Sequence, residues 1–203
     1  PAKTQSALFE VMEEKQISYV GGTYFMKFPY IVVATQNPVE QEGTYSLPEA
    51  QLDRFLMKIV IYYPSFENEL DILEKYKDNL GQISFSDVQP IVNSDDLVYL
   101  QQKTKEVEVS KDIMHYLLKI IHETRNNSDI YLGASPRASL ALLKTSKVHA
   151  ILKGRRFVIP DDIQGLLPYV LGHRIILTPE AEISGKNTFT VLESIIKMVE
   201  VPR

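Results

Sequence analysis

Ile31-Val32-Val33-Ala34-Thr35-Gln36-Asn37-Pro38 and Leu47-Pro48-Glu49-Ala50-Gln51-Leu52-Asp53-Arg54-Phe55, followed directly by Leu56-Met57-Lys58-Ile59-Val60-Ile61, decide the fold. The flanking runs are short, apolar and rich in β-branched residues, as expected of strands buried on both faces of a parallel sheet. The first ends in the polar Asn37, and Arg54 stands just before the second. In open α/β sheets the ligand crevice lies beyond the carboxyl ends of the strands. An amide and a guanidinium at strand edges are therefore suited to handling phosphate.

This stretch resembles the MoxR family of AAA+ ATPases, in which an Ala-Thr-Gln-Asn-Pro segment carries the sensor 1 asparagine and a Leu-Pro-Glu-Ala-Gln-Leu-Asp-Arg-Phe helix follows. The likeness runs over about twenty consecutive positions of mixed chemistry, far more than a Gly-rich pattern offers. It implies that Asn37 is sensor 1, hydrogen-bonding the attacking water and a phosphate oxygen. It implies that Arg54 is the arginine finger, offered to the nucleotide of the neighbouring subunit. Gly133-Ala134-Ser135-Pro136-Arg137 resembles the sensor 2 segment, which makes Arg137 a nucleotide-binding residue.

The residues themselves leave blander readings open. Asn37-Pro38 is also a turn pair. Arg54 reads as a surface arginine paired to Asp53 or Glu49, although adjacent helical residues do not face each other. Arg137 falls in the first turn of a capped helix, where the dipole disfavours a cation, so a bound phosphate is expected to compensate it.

The 203 residues are 44% apolar and 24% charged, ordinary for a globular protein, and a net charge of −4 offers no general attraction to nucleic acid. No window approaches the roughly 18 apolar residues of a membrane span. The absence of cysteine excludes a disulfide framework and fits a cytoplasmic protein. The chain begins Pro1-Ala2-Lys3-Thr4 and reads as an excerpt of a longer sequence.

Residues 1–62 read as part of an αβα core. Ala7, Leu8, Val11 and Met12 have helical spacing, and Ile17 to Met26 form a hairpin turning at Gly21-Gly22. The order helix, hairpin, buried strand resembles the pre-sensor hairpin branch of AAA+ proteins. Residues 63–203 read as an all-helical lid with its own core and no convincing core strand. Helix caps are expected at Ser65, Ser94, Ser110 and Ser135, with Pro160 at a helix start and a Thr190/Glu193 capping box. Asp78 to Asn93 reads as a loop.

Nothing matches the phosphate loop Gly-x-x-x-x-Gly-Lys-Ser/Thr, and no apolar strand ends in Asp-Glu, so Walker A and Walker B are expected upstream of Pro1. Glu40, Glu42, Glu49 and Asp53 read as a solvated loop rather than a metal site. His115 and His122 lack a third ligand. Lys144, Lys147, Lys153, Arg155 and Arg156 cluster near one helix end, where cations suit the dipole and no aromatic platform is interleaved.

The resemblance implies a ring-forming ATPase, hexameric, that uses ATP and Mg2+ and remodels client proteins, often with von Willebrand factor A domain partners. A non-enzymatic scaffold with relic sensors and a nucleic-acid motor of the same branch are the alternatives. The hairpin tip carries no basic residue, which counts against the motor. With part of its sheet missing, the isolated segment is expected to expose strand edges and be poorly soluble.

Overall fold

The computed structural model describes residues 2–36, 47–77 and 88–202. Helix α1 (Ala2–Glu14) leads into an antiparallel hairpin, β1 (Gln16–Tyr19) and β2 (Gly22–Phe25). The turn falls on Val20-Gly21 (φ 46° and 76°), one residue earlier than Gly21-Gly22, and Gly22 pairs with Tyr19 inside the ladder. Two successive positive φ angles match the twist of a two-residue hairpin. The register is set from the helix, because Glu10 accepts from Ser18 Oγ at 2.5 Å and from Ser18 N at 3.3 Å. Val20 takes the left-handed backbone there against a preference worth about 1–2 kcal/mol.

Ile31 to Gln36 and Leu56 to Ile61 form no strand, contrary to the reading of their composition. Ile31, Val33, Ile59 and Ile61 are exposed. A strand exists only through a ladder of hydrogen bonds to a neighbouring strand, and among the described residues neither run has one.

A short helix α2 (Glu49–Leu52) precedes Arg54. Then come α3 (Phe66–Tyr76), capped by Ser65, and α4 (Ser94–Lys105). The cap of α4 is Asn93, not Ser94: Asn93 Oδ1 accepts from Asp95 N and Asp96 N, while Asp96 accepts from Asn93 N. An amide followed three residues on by a carboxylate completes a reciprocal box that Ser94 cannot make with its own neighbours. Neither α3 nor α4 buries a residue, so the lid core does not include them.

The core begins with α5 (Lys111–Asn126), where Ile113, Tyr116, Leu117, Ile120, Ile121 and Thr124 repeat at three- and four-residue intervals on one buried face. Strand β3 (Ile130–Leu132) follows, then α6 (Pro136–Leu152), capped by Ser135, and α7 (Pro160–Leu171). Small buried residues on α6, namely Ala138, Ala141, Ser146 and Ala150, let α7 approach closely with Ile163, Leu167, Val170 and Leu171. β4 (Ile176–Leu177) pairs antiparallel with β3, a small sheet the sequence reading did not contain. Two residues are too short to show a period of two.

Helices α8 (Pro179–Ile183) and α9 (Thr188–Met198) close the bundle. The cap of α9 is Asn187, which accepts from Thr190 N at 2.9 Å, so the box is Asn187/Thr190 and starts the helix earlier than Thr190/Glu193 would.

Candidate functional site

Helix α1 presents Phe9 and Glu13 one turn apart on one face. The Arg54 guanidinium lies 5.7 Å from the Phe9 ring centroid, a cation–π arrangement, and its Nη1 forms an ion pair with Glu13 Oε2. Arg54 Nε is buried without a hydrogen-bond partner. The other Glu13 oxygen, Oε1, accepts from Arg137 Nη2 at 2.7 Å. One carboxylate thus engages both sequence-predicted arginines, and its acid is held below the ordinary carboxylate range by Arg54 first, against desolvation, and also by Arg137.

The anion that compensates Arg137 in this structure is therefore Glu13, with Asp53 Oδ2 further off at 3.9 Å from Nη1. Arg54 pairs with neither Asp53 nor Glu49. Asn37 lies outside the described residues, as do Glu40 and Glu42.

Arg137 is placed by the Gly133–Pro136 loop. Buried Thr124 Oγ1 accepts from Ala134 N at 3.0 Å and donates to Ile121 O, and Arg125 Nε donates to Ala134 O at 2.9 Å. The loop runs so near the end of α5 that a Cβ on Gly133 would sit 2.7 Å from Thr124 O and 2.8 Å from Arg125 Cα. Ser135 Oγ then accepts from Arg137 N at 3.1 Å and starts α6.

Arg54 is placed by Asp53, whose partners were not legible in the sequence. Asp53 Oδ1 accepts from Arg174 Nε at 3.0 Å, and Asp53 Oδ2 accepts from Ser135 Oγ at 2.8 Å. Arg174 is buried and donates further to the carbonyls of Asp53, Phe55, Leu56 and Val170. His173 Nε2 meets Phe55 O at 3.0 Å and so carries its proton there, and Lys58 N donates to Tyr169 O at 2.8 Å. Burial pushes the His173 imidazolium down to about 4; the Phe55 carbonyl opposes the shift, while Arg174 and Lys58 add to it. The only trace of this clamp in the sequence is a pair of basic residues past the end of α7, a position cations favour.

Together these groups line a cleft of about 200 Å3 bounded by Glu13, Asp53, Arg54, Arg137, Lys144 and Arg174. Four cations face two carboxylates, so the cleft retains positive charge and can take an anion. The basic cluster at the end of α6 divides. Lys144 reaches this cleft, Lys147 Nζ donates to Lys105 O, and Arg155 is committed to buried Asp162.

Residues 1–57 match the ATPase family associated with various cellular activities (AAA), and residues 122–195 match the AAA lid domain. The chain is 38% identical over 212 residues to Chaperone MoxR1 of Mycobacterium tuberculosis, covering 100% of this chain and 55% of that protein. The chain belongs to the MoxR family of AAA+ ATPases. A further relative, the uncharacterized protein YeaC of Bacillus subtilis, is 44% identical over 98% of this chain and 62% of its own length. The crystal structure of a Cytophaga hutchinsonii protein provisionally named an ATPase superposes with a TM-score of 0.89 at 39% identity, covering 100% of this chain and 63% of that one. The chain thus spans between about half and two-thirds of the length of these relatives. Its fold is the C-terminal part of an AAA+ core followed by a helical lid. No helix among the described residues is long and apolar enough to cross a membrane.

Proposed function

We propose that this MoxR-family protein binds and hydrolyses ATP at the boundaries between subunits of a ring, hexameric by family likeness, and uses the cycle to remodel client proteins in the cytoplasm. The observation that carries the reading is the convergence of Arg54 and Arg137 on the single carboxylate of Glu13, beside a buried Arg54 Nε that has no partner. Two guanidiniums held on one anion form a receptor for a second anion, and phosphate fits the same fork.

When bound, ATP supplies the transferable phosphoryl group, and Mg2+ accompanies it; no residue of this chain is assigned to the ion. Arg54 neutralises charge that develops on the phosphoryl oxygens of the adjoining subunit's nucleotide. Arg137, at the start of α6, binds phosphate and ties the lid to the nucleotide state. Asn37 orients the attacking water. Partners with von Willebrand factor A domains belong to this reading through the family resemblance alone.

In the full-length protein, Arg54→Ala is expected to lower turnover by about 10³-fold or more while nucleotide binding is retained. Phosphate-release assays beside equilibrium binding of a fluorescent ATP analogue check this. Turnover within twofold of the parent would remove Arg54 from the reaction and favour a scaffold.

A further inference from the structure

We propose that Asp53 is the positioning residue that ties the turn carrying Arg54 to the start of α6 that carries Arg137, so that the lid and the proposed finger move as one unit. The inference rests on the reading of Arg54 and Arg137 given above and adds to it a residue whose own contacts exclude phosphate. Asp53 is an anion and is largely buried, with 13% of its side chain exposed, so it does not bind phosphate itself. Both of its oxygens are occupied by lid groups far away in sequence.

Oδ2 takes the Ser135 hydroxyl proton at 2.8 Å, and the same hydroxyl caps α6 by accepting from the backbone N–H of Arg137 at 3.1 Å. Arg54 is the next residue after Asp53. The path from one guanidinium-bearing backbone to the other therefore contains one side-chain hydrogen bond, Ser135 to Asp53. Oδ1 takes Arg174 Nε, and Arg174 also holds the carbonyls of Asp53, Phe55 and Leu56. This second bond fixes the turn that carries Arg54 onto the end of α7, so the turn cannot pivot about the Ser135 contact. A rotation of the lid that moves α6 must carry Arg54 with it. Reacting groups held in near-attack geometry lose about 10²-fold in rate for a displacement of about 1 Å, which sets the scale of the effect.

The test uses full-length protein with Asp53→Ala, Ser135→Ala, the double variant, Ser135→Thr and Arg54→Ala as reference. Steady-state turnover, KM for ATP and binding of a fluorescent ATP analogue are read on each, with assembly checked by light scattering. Asp53→Ala and Ser135→Ala are each expected to lower kcat about 10- to 100-fold with KM and analogue affinity within threefold. The double variant is expected to be no worse than the poorer single one, and Ser135→Thr is expected to restore kcat. A uniform structural defect would instead raise KM and weaken binding together. If Asp53→Ala fails to fold, the Ser135→Ala and Ser135→Thr pair carries the same comparison. Ser135→Ala with parental kcat, while Arg54→Ala is inactive, overturns the proposal and leaves the function standing. An active Arg54→Ala overturns the function first, and with it the role of Asp53.

Discussion

Replacing Asp162 with Asn should cost the lid about 2 kcal/mol at pH 7 and well under about 1 kcal/mol at pH 2. Asp162 is 1% exposed and accepts from Arg155 Nη1 and Nη2 at 2.8 and 2.5 Å, from Ile159 N at 2.9 Å, and lies 2.7 Å from His149 Nδ1. Burial pushes its carboxyl up, but the donors together more than offset that and hold it at about 2, below the ordinary 3.8. Because the folded value is the lower one, the unfolded chain binds more protons between pH 3.8 and about 2. The stabilisation is therefore complete above pH 3.8 and is lost as pH falls through about 2. At about 1.4 kcal/mol per pH unit that interval corresponds to about 2 kcal/mol, or a drop of roughly 5–10 °C in Tm for a cooperative unit of about 100 residues.

Asn keeps the shape and removes the charge. Urea unfolding of the parent and Asp162→Asn, followed by circular dichroism at pH 7, 4, 3 and 2, should show a gap that closes with acid. Other carboxylates titrate in both proteins and cancel in the difference. A gap under 0.5 kcal/mol at pH 7, or one that persists at pH 2, would refute the electrostatic account.

Glu13→Gln removes the internal anion that holds Arg54 and Arg137, so inorganic phosphate and ATP analogues should bind the full-length protein more tightly, measured by calorimetry; weaker binding would contradict the competition. His173 is neutral when folded, with its value lowered to about 4 from 6.5, so its contribution is intact above pH 6.5 and lost as pH falls towards 4. Thermal melts between pH 7.5 and 4.5 should show that loss, and His173→Gln should flatten it. Gly133→Ala forces the loop off Thr124 and Arg125 and should cost about 1–3 kcal/mol, with Tm as the readout.

Helices were legible where sequence signals are local. Ser110 and Ser135-Pro136 specify where α5 and α6 start, and the structure follows them. Caps failed where two candidates compete within one turn, as Asn93 against Ser94 and Asn187 against Thr190, because reciprocal bonds rather than residue type decide between them. Composition suggested strands at 31–36 and 56–61, yet strand formation depends on a partner that no single run encodes. The family likeness drew attention to Arg54 and Arg137. Nothing local connected them to Glu13, and the bonds of Asp53 to Ser135 and Arg174 span 82 and 121 positions. Contacts of that range carry no periodicity and become visible only after folding.

Arg174 spends most of its donors on main-chain oxygens, so it recognises the route of the polypeptide at 53–56 and is indifferent to most of the side chains along it. A change of the Phe55 or Leu56 side chain therefore leaves the hold of Arg174 on the main chain intact. Of the side chains at 53–56 only the Asp53 carboxylate takes part in that hold, and Arg174→Lys should loosen it, since a lysine has no planar fork with which to span several carbonyls.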